Sequence, residues 1–90
     1  MRLRGELDIA TVGAVANRLA ALRERRETVL LDLDEQTFID ASGIRLVVDA
    51  AEDSRRDGWA FAVTHGSWPV RRVLELLELD KHLPYDGRTG

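Results

Sequence analysis

The chain has 90 residues, of which 44% are hydrophobic and 32% charged, and this length accommodates one small domain. It contains no cysteine, which excludes a disulfide framework, a thiolate metal site and a cysteine nucleophile. The formal net charge of −3 leaves no basic stripe for a nucleic-acid backbone. No apolar run approaches the roughly 20 residues that cross a membrane. We therefore expect a cytoplasmic protein that binds no nucleic acid and inserts into no membrane.

The first third of the chain predicts a strand followed by a helix. Residues 1–4 alternate apolar and charged side chains, which is typical of a half-buried strand, and they run directly into Gly-Glu-Leu-Asp at 5–8. Asp8 is a candidate N-cap for the helix, because its carboxylate can accept first-turn N–H groups. The helix itself is predicted by an apolar stripe of Val12, Val15, Ala16, Leu19 and Leu22.

The middle of the chain predicts a second strand and a second helix. Residues 28–34 are nearly continuously apolar, as expected of a central parallel strand, and residues 35–39 are predicted to be a connection. The second helix is predicted to begin at Asp40 and to end at Gly58, since glycine suits the left-handed conformation beyond a helix C-terminus.

The last third predicts a strand over 59–64, a helix with Ser67 as its N-cap, and a short edge strand at 82–85. Residues 86–90 are predicted to form a frayed tail. Strands and helices alternate along the chain. This order predicts an α/β fold with a mainly parallel sheet of about four strands, in a single domain over residues 1–85.

Three aspartates follow predicted strands and precede helices or loops on one side of the sheet. They are Asp8, Asp34 and Asp40. Three carboxylates on one rim could bind a hard cation, but helix capping and solvated loop ends explain the same positions. The capping interpretation is favoured, so we expect no metal site and no cofactor.

An enzymatic function is not expected. Asp32 and Asp34 follow an apolar strand, as do the two aspartates of haloacid-dehalogenase-type phosphatases, but Glu35 stands where that motif has a small residue. Lys81 is the only lysine and lies far along the chain. A Ser-His-Asp set built from Ser42 and His65 lacks the sharp turn that exposes a nucleophile.

The segment Asp40-Ala41-Ser42-Gly43 is the most distinctive polar feature of the chain. An aspartate, two small residues and a glycine at a helix N-terminus leave backbone N–H groups open to a partner backbone or a phosphate. A tight strand-to-helix turn capped by Asp40 or Ser42 explains the same residues. The four-residue pattern alone does not decide between these alternatives.

Taken together, the segments resemble the STAS domain of the anti-sigma factor antagonist family. The resemblance covers about residues 3–85, and its motifs are specific as an ordered set rather than singly. They are Gly5–Asp8, Val29–Leu33, Phe38–Ile44, Asp57–Trp59, Pro69–Leu76 and Leu79–Pro84.

The resemblance implies a sheet with helices packed mainly on one side, and a protein-binding switch rather than an enzyme. In this family the unmodified antagonist binds a serine-kinase anti-sigma factor and frees the sigma factor. The kinase phosphorylates a serine or threonine directly after the aspartate of the turn, which ends binding. Partner-binding residues are accordingly expected at Asp8, Asp40, Ala41, Ser42, Gly43 and Ile44.

The chain departs from the family pattern at the acceptor position. Ala41 directly follows Asp40 and has no hydroxyl group, whereas Ser42 matches the next small position. Three alternatives follow: the switch is fixed in its binding form, Ser42 has become the phosphoacceptor, or the domain has another role. The main alternative role is a non-switching STAS scaffold in a stress-signalling or lipid-transport complex.

A second departure lies at the N-terminus, where only residues 1–4 precede the Gly-Glu-Leu-Asp turn although family members carry another strand there. A missing strand leaves an open sheet edge that can pair with another chain. A homodimer through this edge, a strand supplied by a partner, or a misassigned start codon would each account for it.

Overall fold

Three parallel strands and three helices alternate in the computed structural model, which describes residues 1–85. The elements are β1 (Arg2–Leu7), α1 (Val12–Glu24), β2 (Val29–Ile39), α2 (Ala41–Asp57), β3 (Phe61–Val63) and α3 (Trp68–Leu76). The sheet order is β1-β2-β3, and both neighbouring pairs are parallel. The predicted α/β class is therefore confirmed. The predicted tail at 86–90 lies outside the described residues.

The sheet has one apolar face and one charged face. Leu31, Leu33 and Val63 are fully buried and belong to one hydrophobic cluster that includes residues of all three helices. On the other face of β1 and β2, Arg2 pairs with Asp32 at 3.3 Å, and a further arginine–glutamate pair lies beside them. Because this face is charged and solvated, the helices pack on the apolar side, as the family resemblance implied.

Strand β2 is longer than its sequence pattern predicts. Residues 35–39 were expected to be a connection, but they continue β2 and pair with β1, where Leu7 lies beside Ile39. Register shifts interrupt this pairing, so the side chains lose regular alternation, and Gln36 is buried between exposed neighbours. The pairing is long-range and the local pattern is irregular, so the sequence window did not indicate a strand.

The predicted fourth strand is wrong, and the sheet has three strands within residues 1–85. Residues Asp80–His82 form a single 3₁₀ turn instead, and Tyr85 makes only an isolated parallel bridge to Val63. The Val63 N–H donates to the Pro84 carbonyl at 2.9 Å. Proline has no N–H to give to a ladder, which limits this segment to a single bridge.

The helix ends follow local signals at α2 and α3 but not at α1. Asp40, one of the two predicted candidates, is the N-cap of α2, and Gly58 is its left-handed C-cap with φ of 74°, as predicted. Ser67 is the N-cap of α3, although its hydroxyl donates to the Gln36 carbonyl instead of capping the helix. Helix α1 begins after Thr11, so Asp8 is not its N-cap and lies in the preceding turn.

Candidate functional site

Two strand-to-helix turns lie side by side at one end of the sheet. Strands β1 and β2 end together, because Leu7 is paired with Ile39 and the Asp40 N–H donates to the Leu7 carbonyl at 3.1 Å. The turn after β1, residues 8–11, therefore lies beside the N-terminus of α2. We call Asp8, Ile9 and residues 40–44 the turn face.

The Asp40 carboxylate joins the two turns. Its Oδ1 accepts a hydrogen bond from the Gly43 N–H at 3.1 Å, which caps α2. Its Oδ2 accepts a hydrogen bond from the Ile9 N–H at 3.2 Å, across to the other turn. Asp40 is half-buried and both of its oxygens bond to the protein's own backbone, so this side chain holds the turn face together.

Asp8 and Thr11 lock the turn that carries Ile9. The Asp8 Oδ1 accepts hydrogen bonds from the Ala10 N–H at 3.0 Å and the Thr11 N–H at 3.2 Å. The Thr11 hydroxyl accepts from the Asp8 N–H at 3.0 Å and donates to the Glu6 carbonyl at 3.1 Å. These bonds satisfy the turn locally, as aspartate and threonine side chains do in short turns.

The first turn of α2 presents its small residues unequally. Ala41 is exposed at the start of the helix, and Ser42 is half-buried. Within residues 1–85 the Ser42 hydroxyl makes no hydrogen bond. Ile44 is half-buried and packs against the core, while its N–H donates to the Asp40 carbonyl at 2.9 Å. Ala41 and Ser42 are therefore the accessible residues of this turn, whereas Ile44 anchors it to the core.

Gly43 allows the close approach of α2 to the ends of β1 and β2. A Cβ atom at Gly43 would lie 2.6 Å from the Leu7 carbonyl oxygen and 2.8 Å from Ile39 Cγ1. Both distances are shorter than real Cβ contacts allow, and the nearest atom belongs to the backbone. The expected role of Gly43 in partner binding is therefore indirect, since it is buried and sets the position of its neighbours.

The third aspartate of the predicted rim lies elsewhere. Asp34 is exposed inside β2, five residues before the strand ends at Ile39, because the strand continues past the expected boundary. Across residues 1–85, no group of three or more histidine or carboxylate side chains could hold a metal ion. The turn face presents two carboxylates and several apolar side chains on a hydrogen-bonded backbone. Such a surface suits the binding of another protein.

Sequence reasoning overlooked Ile9. The apolar stripe that predicts the first helix starts at Val12, so Ile9 was assigned to no face and to no candidate site. The overlooked signal was Thr11, since threonine is also among the residue types favoured at an N-cap. With the cap at Thr11, Ile9 stays outside the helix, and its side chain is 77% exposed.

Comparison with known proteins identifies the family. The family model of the STAS domain matches residues 1–88. The chain belongs to the STAS domain family. An anti-sigma F factor antagonist of Paenibacillus polymyxa is similar to it, with 33% identity over 93 residues that cover 100% of this chain and 80% of that protein. The family resemblance stated from the sequence motifs is thus confirmed.

A helix that crosses a membrane must be both long and apolar. Between Met1 and Tyr85, no helix is both long enough and apolar enough to cross a bilayer.

Proposed function

We propose that this STAS domain binds a serine-kinase anti-sigma factor through the turn face and thereby frees a sigma factor. Family membership and the similarity to an anti-sigma F factor antagonist along the whole chain support this role. The role is binding and release of a protein, without catalysis.

The observation that carries the proposal is the Asp40 carboxylate bridge. It fixes the turn of Asp8 and Ile9 against the N-terminus of α2, with 3.1 Å and 3.2 Å hydrogen bonds on its two oxygens. A surface held in this way loses little conformational entropy when a partner docks. Asp8, Ala41, Ser42 and Ile44 are the partner-facing residues, while Asp40 and Gly43 position them.

The expected regulation differs from that of the family because the acceptor position has no hydroxyl. Ala41 is exposed where the family carries its phosphorylated residue. We infer that the switch is fixed in the binding form. Ser42 is the competing acceptor, since its hydroxyl is half-buried and makes no hydrogen bond within residues 1–85.

The variant Ala41→Ser, which restores a hydroxyl group at the acceptor position, tests whether the switch is fixed in its binding form. Incubated with the kinase anti-sigma factor and ATP, this variant is expected to gain one phosphate and then to bind at least about tenfold more weakly. The reason is that a phosphate group is bulky and would occupy the exposed position of residue 41, so the partner could no longer dock closely on the turn face. Intact-mass spectrometry and calorimetry measure both effects.

The controls separate the two possible acceptors. Ala14→Ser places the same hydroxyl on the exposed surface of α1 and should gain no phosphate. The unaltered chain should gain none either. A phosphate on the unaltered chain that disappears in Ser42→Ala would contradict the fixed switch and assign Ser42 as the acceptor.

We further propose that the free edge of β1 pairs with a second copy of this chain. Strand β1 lies at the edge of the sheet and pairs only with β2 within residues 1–85. Antiparallel pairing centred on Arg4 would place Arg2 of each copy opposite Glu6 of the other, which is a favourable cross-strand pair.

Release of a sigma factor tests the proposed function. The purified chain is added to a complex of a sigma factor with its kinase anti-sigma factor, both taken from the same genome. We expect the anti-sigma factor to move to this chain. If it stays with the sigma factor while the chain binds a transporter or stress-complex component, the scaffold alternative replaces the proposal.

A further inference from the structure

Ile9 is the most exposed large hydrophobic residue within residues 1–85. It is 77% exposed, compared with 72% for Trp68 and 70% for Leu76, both in α3. Single exposed apolar side chains are common on protein surfaces, so exposure alone does not indicate a function. The surroundings of Ile9 distinguish it from the others.

The backbone of Ile9 is fixed by hydrogen bonds on both sides. Its own N–H donates to the Asp40 Oδ2 at 3.2 Å, and the N–H groups of the next two residues donate to the Asp8 carboxylate. Thr11 closes the turn by accepting from the Asp8 N–H at 3.0 Å. The apolar side chain is therefore presented outward on a preorganised turn, which lowers the entropic cost of docking it.

Two carboxylates without cationic partners flank this side chain. Within residues 1–85, no lysine, arginine or histidine nitrogen lies within 4.0 Å of Asp8 or Asp40. The arginines of β1 form ion pairs on the charged face of the sheet instead, since Arg2 pairs with Asp32 and Arg4 pairs with Glu35 at 3.0 Å. Ile9 is thus an exposed apolar residue that lies beside the two negatively charged carboxylates of Asp8 and Asp40.

We propose that Ile9 is the apolar anchor of the turn face, inserted into a hollow on the anti-sigma factor whose rim carries lysine or arginine. This inference rests on the proposed function and names the chemistry of the partner surface. Anchors of this kind bind in desolvated pockets near the centre of an interface, and charges around them give complementarity and speed association. Asp40 is a positioning residue for the anchor through its hydrogen bond to the Ile9 N–H.

Calorimetric titration of the anti-sigma factor with Ile9→Ser tests the anchor. We expect binding to weaken at least about tenfold, the loss typical of a central anchor. Leu76→Ser is the matched control, since it removes a leucine of similar exposure from α3 and should change affinity less than about twofold. Both variants should keep their unfolding midpoint within about 4 °C of the parent chain.

The charged rim is tested by salt. Binding of the unaltered chain should weaken as ionic strength rises from about 0.05 to 0.5 M, because exposed charges are screened. Asp8→Asn retains the side-chain oxygen that closes the turn but removes its charge, so it should reduce this salt dependence. Asp34→Asn is the control, because it removes an exposed carboxylate from the middle of β2, outside the turn face, and should leave the dependence unchanged.

The outcomes separate the inference from the proposed function. If the unaltered chain does not bind the anti-sigma factor, the proposed function is wrong. If it binds and Ile9→Ser binds equally well, the anchor is wrong while the proposed function stands. An Ile9→Ser variant that loses only self-association would assign the side chain to a second copy and overturn the inference. Salt-independent binding would overturn the basic rim.

Discussion

Gly43 shows how a single residue determines the position of the turn face. Gly43→Ala should destabilise the chain by about 1–3 kcal/mol, because the added methyl group meets the Leu7 carbonyl oxygen at 2.6 Å and overpacks the junction. Urea denaturation followed by circular dichroism measures the change. An alanine at a helical position is otherwise favourable, so the sign of the effect is diagnostic.

Gly13→Ala provides the matched control for this prediction. Gly13 lies in α1, and a Cβ atom there would have no neighbour within 4 Å. The same substitution should therefore stabilise the chain by about 0.5–1 kcal/mol through helix propensity and unfolded-state entropy. Equal effects of both alanines would contradict the close approach at Gly43.

At the residue scale, local signals predicted part of the site. Asp40 as an N-cap and Gly58 as a left-handed C-cap were predictable, because each depends on a few neighbouring residues. The hydrogen bond from the Ile9 N–H to Asp40 was not predictable, since it joins residues 31 positions apart. Ile9 itself was overlooked because the predicted apolar stripe starts at Val12 and its exposure depends on α1 beginning after Thr11.

At the element scale, Asp53 couples α1 to α2. It accepts hydrogen bonds from Arg23 of α1 at 2.6 Å, from Arg56 at 2.7 Å and from Trp59 Nε1 at 3.3 Å. Loss of hydration raises the pKa of Asp53, but the Arg23 charge and the hydrogen bonds from Trp59 and Arg56 outweigh it, so the pKa lies below its ordinary value.

A lowered pKa in the folded state predicts acid sensitivity. The contribution of Asp53 to stability is complete above the ordinary aspartate pKa of about 3.9 and is lost as the pH falls through the lower folded value. Asp53→Asn should therefore destabilise the chain at neutral pH, and its difference from the parent chain should shrink on acidification. Urea denaturation at several pH values measures this difference.

Asp49→Asn is the control for this pH series. Asp49 lies about one turn earlier on α2 and forms no ion pair within the described part of the chain, so its substitution should show little pH dependence. A difference between Asp53→Asn and the parent chain that stays constant from neutral to acid pH would contradict the coupling.

The helices could be predicted from local sequence patterns, whereas strands that depend on long-range pairing could not. The three helices and the α/β order were predicted, because helix periodicity and caps are local. The second half of β2 was not, because residues 35–39 become a strand only by pairing with β1, some 30 positions earlier in the chain. The predicted strand at 82–85 failed for the related reason that, within residues 1–85, this segment makes only an isolated bridge to β3, between Tyr85 and Val63.

At the scale of the whole molecule, the fold places the turn face at one end of a small parallel sheet. The Cα atoms have a radius of gyration of 12.0 Å, which matches the roughly 12 Å expected for a compact chain of this length. The turn face lies just beyond the end of β1 and uses side chains, whereas the free edge of β1 offers backbone groups. The proposed partner binding and self-pairing therefore use different groups of the chain.

The most direct test of the account is size-exclusion chromatography with light scattering on the sigma–anti-sigma complex before and after this chain is added. We expect the complex to disappear, free sigma factor to be released, and this chain to elute with the anti-sigma factor. The mass of the chain alone, measured in the same experiment, should be that of a dimer. An unchanged sigma–anti-sigma complex, with this chain eluting by itself, would contradict the central claim.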